Sequence, residues 1–386
     1  MKKELCEAVA SDDYREAAKR IESCGNSISH EHAGRILVKE ASRIRRELFG
    51  PEAVVSARAS APANPPGLLI VGADGSRYRT NEADRRKKRT DTRQKRDTGE
   101  AGAADPPSGD EFAGEPAFGE IAPRERDSGW RENKVGIVIR AEPGSVGPGG
   151  EWTPPREVVK TYVATTENIQ SFGRDLRTEA ERRGIERAEE VVFVSDNGHG
   201  IPSMREREFP EAHHVTDFKH ASDRLKDTAR IVCGEGEAAA PERAAMRHGL
   251  KALLWGGKVD EVIVELAREA GRFAPRPAKL AELASGPEAK ALWGHVFYFE
   301  KWKGTMDYPE YRSKGWPIAS SSVESACGQM GERVKHARMR WTRRRAGAVH
   351  QVKAAILSQD GRWGKRWPGP IPVLELPLLE YLAPAA

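Results

Sequence analysis

What this chain has little of narrows its class. Its four cysteines, Cys6, Cys24, Cys233 and Cys327, are widely scattered with no CxxC pair, which argues against a structural zinc site or a disulfide scaffold. No apolar run reaches membrane-spanning length, and the opening MKKELCEAVASDDY has no apolar signal core. The expectation is a cytoplasmic protein with reduced thiols. A strong charge imbalance is also missing: Lys and Arg total 63 against 58 for Asp and Glu, a net +5. Affinity for a polyanion would therefore depend on where the charges sit, not on their sum.

At 386 residues, 31% of them charged and 38% hydrophobic, the chain holds two or three domains with polar stretches between them. One basic run spans Arg77 to Arg96, with RRKKRTDTRQKR at its heart, and reads as a solvated or disordered face. A second, Arg333 to Arg366, interleaves Trp341, Trp363 and Trp367 with its arginines. That mixture suits phosphate contacts and base stacking. Its candidate DNA-binding residues are Arg333, Lys335, Arg338, Arg340, Trp341, Arg343 and Arg344.

Residues 1–60 read as helical, with helices over Tyr14–Cys24 and Ser29–Leu48 about a turn at Gly25-Asn26 and Ser29 as N-cap. The pattern fits a helix-turn-helix or an ordinary helical hairpin equally. PEAVVSARASAPANPPG reads as a linker. Strands follow at Leu68–Ala73, ending at Asp74-Gly75, and after a flexible low-complexity loop at 80–128, at Lys134–Ala141 and Val158–Ala164. A helix at Glu167–Arg183 closes on Gly184, EVVFVS (Glu190–Ser195) is a buried strand, and a short strand runs His213–Asp217. From Ala221 to about Glu300 the periodicity is helical, and a last helix covers roughly Ser321–Lys335. The fold class is thus mixed α/β with a helical insertion.

Three acidic residues stand out: Asp74 in LLIVGADGSRYR, Asp196 in EEVVFVSDNGHGIP, and Glu324 in ASSSVESACGQM. Taken alone, an Asp-Gly pair is often a turn, and a glutamate in a first helical turn often serves the dipole. Two aspartates that both close apolar strands are a different matter, because ligands gather at strand carboxyl ends and adjacent carboxylates repel unless a cation intervenes. Asp217 and His220, three apart in DFKHASDRL, are placed to share a helical face near the site. A rival reading is that VSDNGHGIP resembles the DxGxG box of gyrase-type (GHKL) ATPases. No GxGLG-like box follows it in the chain.

In order along the chain, VGADGSRYR, DSGWRENKVGIVI, VVFVSDNGHGI with FPEAHHVTDFKH, MDYPEYRSKGWPIASSSVESACGQMGERVKHARMRW and SQDGRW resemble the blocks of bacterial insertion-sequence transposases of the ISKra type, relatives of the Mutator-like group with a DDE triad. The likeness covers about residues 66–367. It departs from the family where Ala319 and Ser321 replace the usual glycines and KWKGTMDY replaces an N/R-rich segment.

The resemblance implies an RNase H-like five-stranded sheet over 66–225, an all-helical insertion at 226–312, and the end of the core at 313–367, with a tail at 368–386. It further implies Asp74, Asp196 and Glu324 as catalytic residues that hold two Mg²⁺ or Mn²⁺ ions, with Asp217 and His220 behind them. The implied partners are transposon-end and target DNA, bound by a homodimer or larger assembly at the nucleoid. A DNA-binding remnant without catalysis is the alternative.

Overall fold

The computed structural model describes residues 2–11, 14–23, 29–80, 130–198, 200–283, 286–335 and 341–367. The low-complexity loop, the Gly25-Asn26 turn, Arg338, Arg340 and the C-terminal tail lie outside the described residues.

Its centre is a five-stranded mixed sheet made of β1 (Leu68–Arg79), β2 (Trp130–Glu142), β3 (Arg156–Thr165), β4 (Glu190–Ser195) and β5 (His213–Thr216). The spatial order is β3-β2-β1-β4-β5. Strand β2 is antiparallel to both neighbours, while β1, β4 and β5 are mutually parallel. Period-two alternation divides β1 between two cores. Leu68 and Ile70 face one side with Val192 and Val194, and Leu69, Val71 and Ala73 face the other with Phe193. This two-sided burial explains why the central strands read as continuous apolar runs.

The second face is covered by α5 (Ile169–Arg182) and α6 (Ile201–Glu208), through Phe172, Leu176, Ala180 and Met204. Asn168 caps α5 by accepting from the Ser171 N–H at 2.8 Å, and Gly184 takes the left-handed conformation (φ 92°) just past its end. The first face carries α7 (Phe218–Cys233) and α12 (Ser321–Val334). Between these two lies the helical insertion: α8 (Ala240–Trp255), α9 (Val259–Phe273), α10 (Pro287–Trp302) and α11 (Tyr308–Ser313). Leu254, Val262, Leu266, Trp293, Val296 and Phe299 are contiguous with the core of the sheet, so the insertion shares that core.

The N-terminal helices α1 (Lys2–Ser11), α2 (Tyr14–Ser23) and α3 (His30–Phe49) form a third core with α13 (Arg343–Leu357) and Trp363 of α14 (Arg362–Lys365). Ser29 caps α3 by accepting from the His32 N–H at 3.2 Å. Arg45 on α3 pairs with Asp175 on α5 at 2.7 Å, tying this bundle to the sheet layer. Buried Glu179 gathers Arg182 and Arg362 at 2.6 Å and Arg183 at 3.2 Å, anchoring α14 on α5. Two expectations need correction. The stretch read as a linker begins with a short helix, α4 (Pro51–Ser56), because Pro51 sits at a first helical position, where its missing N–H is harmless. And β1 does not end at Asp74: it runs on to Arg79, paired with β2 from Asp74↔Val135 to Arg79↔Trp130.

Two histidines are buried in these cores. Among the described residues His350 on α13 has no hydrogen-bond partner for either ring nitrogen, and burial holds it down to about 3. His295 on α10 meets Thr228 at 3.0 Å; burial, helped by Arg224 and opposed by Asp227, holds it down to about 4. A depressed folded value means stability is full above pH 6.5, where the unfolded histidine is neutral, and falls as pH drops toward 4. We expect the wild-type melting temperature to drop over that interval, each histidine contributing on the order of 3 kcal/mol. His350→Leu should flatten the profile, which thermal melts between pH 4 and 7.5 would measure.

Candidate active site at the carboxyl ends of the central strands

The parallel pairing of β1 with β4 stops at Ala73↔Ser195, so the next residue on each strand, Asp74 and Asp196, stands side by side with the other as the strands part. Beyond this point β1 continues along β2, whereas β4 turns away. Asn197 provides the turn with a left-handed backbone (φ 63°), and its amide donates to Thr216 Oγ1 at 2.8 Å. Each aspartate is oriented by a local N–H: Gly75 N donates to Asp74 Oδ1 at 2.6 Å and Gly198 N to Asp196 Oδ1 at 2.8 Å. Burial first, and the Asp196 carboxylate second, hold the Asp74 carboxyl above the usual range. Among the described residues no Lys, Arg or His lies within 4.0 Å of either carboxylate as an ion-pair partner; Lys219 and His220 are engaged with Glu324.

Helix α12 brings Glu324 to the same face. Its approach is close because Gly72 leaves room: a Cβ there would come 2.2 Å from Val323 Cγ2. One turn beyond Glu324, the Cys327 thiol faces Asp74, and burial together with Asp74 pushes that thiol up. Glu324 itself is turned to two side chains of α7, with Lys219 Nζ 2.8 Å away and His220 Nε2 3.0 Å away. Its hydrogen bond holds Lys219 above the ordinary range.

Asp217 is fully buried and caps α7, accepting from the His220 N–H at 2.8 Å. Its second oxygen accepts from both the N–H and the hydroxyl of Ser320, the residue before α12. Asp217 N in turn donates to Ser195 O at 2.9 Å, and Phe218 N to Ile318 O at 2.8 Å. The chain therefore leaves the sheet for the insertion and returns from it at one clamped point. Asp217, His220 and Glu324 offer ligand atoms within 4.8 Å of one another. With Asp217 committed to three donors, it works as a brace that positions α7 against α12. His220 touches Glu324 directly.

Sequence reading and structure part company over the basic segment. Arg333 is buried, donates to Val9 O at 3.3 Å and lies 4.5 Å over the ring of Trp341, which is buried too. Buried Arg343 donates to Thr166 O at 2.9 Å. The two arginines are spent on backbone carbonyls of distant segments and Trp341 is buried beneath Arg333, so the expectation that these three side chains form a DNA-facing surface is corrected. Lys335 is exposed and Arg344 half-exposed. Residues not anticipated are Lys219, which sits inside the quoted DFKH segment, and Ser320, whose partner is a hundred residues away.

No protein-family model matches the chain, and no curated protein matches it. The site is therefore read from its own geometry.

The close seat of α12 gives a test. Gly72→Ala should destabilise the protein by about 1–3 kcal/mol, the usual cost of overpacking. Combining it with Val323→Ala should cost less than the sum of the two single changes. Denaturant unfolding of the four proteins would check this, and strict additivity would show that the helix does not depend on Gly72.

Proposed function

We propose that the chain is a DDE transposase, cutting the ends of an insertion sequence and joining them to target DNA. The observation that carries this reading is the side-by-side placement of Asp74 and Asp196 where two parallel strands part, with Glu324 on the helix laid across the same face. Supporting it, the strand order β3-β2-β1-β4-β5 with β2 alone reversed is that of RNase H-like folds. The ordered sequence blocks resembling ISKra-type transposases fall on the segments that build this site.

The residues fit divalent cations. The Asp74 carboxyl is pushed up by burial and then by the Asp196 carboxylate; a positive ion between the two relieves the second effect, and oxygen ligands at strand ends suit Mg²⁺ or Mn²⁺. Asp74 and Asp196 would hold the ions, and Glu324 would join them on exchanging Lys219 and His220 for metal. Bound ions would supply activation of the attacking hydroxyl and neutralisation of charge on the phosphate. The protein's own contribution is placement. Asp217 braces the helix that carries Glu324, Gly75 and Gly198 aim the two aspartates, and the freed Lys219 would then face phosphate.

The reaction would be in-line attack on a phosphodiester, first by water to free a 3′-hydroxyl, then by that hydroxyl on target DNA. Joining two ends calls for at least a dimer on DNA. An adenine site at the DNGHGI box is less well supported, since Asp196 Oδ1 already accepts from Gly198 and its neighbour is a second carboxylate.

The test is incubation with duplex DNA carrying the element's own ends, in Mg²⁺ or Mn²⁺. Asp74→Ala, Asp196→Ala and Glu324→Ala should each reduce nicked and joined products by more than a hundredfold, roughly the scale of losing a core catalytic group, with DNA retardation retained. Cleavage that persists in Asp196→Ala would exclude the assignment. Retarded, uncut DNA with wild type would mark a remnant without catalysis.

A further inference from the structure

Helix α7 leads from the braced Asp217 into the insertion and carries a cation that the site as described does not use. Arg224 lies one turn beyond His220, on the same face of the helix. Its guanidinium carbon sits 3.9 Å over the ring of Tyr298, on α10. The Tyr298 hydroxyl is buried, with Arg224 and Asn197 both against it. Asn197 directly follows Asp196, so this stacked pair borders the acidic site.

The surrounding acids are taken. Asp223 is 3.9 Å from Lys219, Asp227 is 2.6 Å from Arg230, and Glu324 is 2.8 Å from Lys219. Among the described residues Arg224 makes no ion pair within 4.0 Å. A half-buried guanidinium fixed by an aromatic face and lacking a carboxylate is costly to keep unless an anion completes it. Stacking also leaves its planar fork of N–H donors pre-oriented, the geometry that grips a phosphate in bidentate fashion.

We propose that Arg224 binds a backbone phosphate of the DNA held at the acidic pair, so that the helical insertion supplies part of the nucleic-acid grip at the site. This rests on the nucleic-acid reading above and adds to it a specific contact. The insertion then has a role besides filling space: α10 contributes the ring that holds the cation, and α7 contributes the cation.

The experiment is fluorescence-polarisation titration of a labelled duplex carrying the element's end, in Ca²⁺, over 50 to 200 mM salt. Arg224→Gln should lower the slope of log K against log salt by about 0.9, one phosphate contact. Arg224→Lys keeps the charge and should keep most of the slope, while losing affinity with the bidentate geometry. Arg247→Gln, an exposed arginine on α8, is the control for the general field. Melting curves accompany each variant, and should Arg224→Gln fail to fold, the contact is judged on Arg224→Lys, whose affinity must fall. A wild-type slope in Arg224→Gln, wild-type affinity in Arg224→Lys, or an equal change in Arg247→Gln overturns the contact. Binding that depends on Arg224 in a protein that cuts nothing would leave the contact standing and overturn the enzyme reading. A chain that binds no DNA overturns both.

Discussion

The hydrogen bonding of one buried carboxylate holds this architecture in register. Asp217 takes the His220 N–H on one oxygen and both donors of Ser320 on the other, at a position with no solvent exposure. Hydrogen bonds to a charged acceptor contribute about 1.5–3 kcal/mol each, and losing one partner here would strand a charge in the core. The bond matters because of what it joins. Between Asp217 and Ser320 the chain departs through five helices, α7 to α11, and comes back. The Phe218–Ile318 hydrogen bond and the Tyr308 hydroxyl, which donates to Thr216 O at 3.0 Å, close the same seam. The position of Glu324 is thereby set by the sheet edge, and does not accumulate error along the insertion.

Charge at the site is divided unevenly. Glu324 has Lys219 and His220 of α7 as partners, whereas Asp74 and Asp196 have each other, two backbone N–H groups and the Cys327 thiol. The pair on the sheet is thus the uncompensated element, and its geometry is imposed by strand pairing, which cannot relax without breaking the register at Ala73↔Ser195. The glutamate sits on a helix and is held by side chains that can turn. The site thus combines a pair of carboxylates fixed by the sheet with a third held only by side chains.

Much of this was legible in the sequence where local pattern and tertiary role coincide. EVVFVS reads as a buried strand because burial on both faces removes the polar alternation, and β4 has those same ends. The segments of β2, β3 and α5 were legible for the same kind of reason. The end of β1 was not, since Asp-Gly is a common turn signal and only the partner strand, with Gly75 opposite Lys134, keeps it extended. Nor could local pattern show that Arg333 and Arg343 turn inward. Arginines near tryptophans look alike whether they await phosphate or satisfy carbonyls at Val9 and Thr166. Asp217 meets His220 as the N-cap of α7, through the His220 N–H and not across a helical face, and the brace to Ser320 depends on a contact that no spacing reveals.

The insertion's core argues against treating it as an appendage. Its apolar residues run without interruption from Phe299 and Leu254 to Phe218 and the strand residues Val194 and Ile70. A block joined through a continuous core transmits displacement, because close-packed interiors leave little slack. Tyr308 shows how direct the link is: it stacks edge-on against Phe218 at 4.9 Å while its hydroxyl holds the last residue of β5. Whatever binds against α7 and α10 therefore pushes on the seam that sets Glu324.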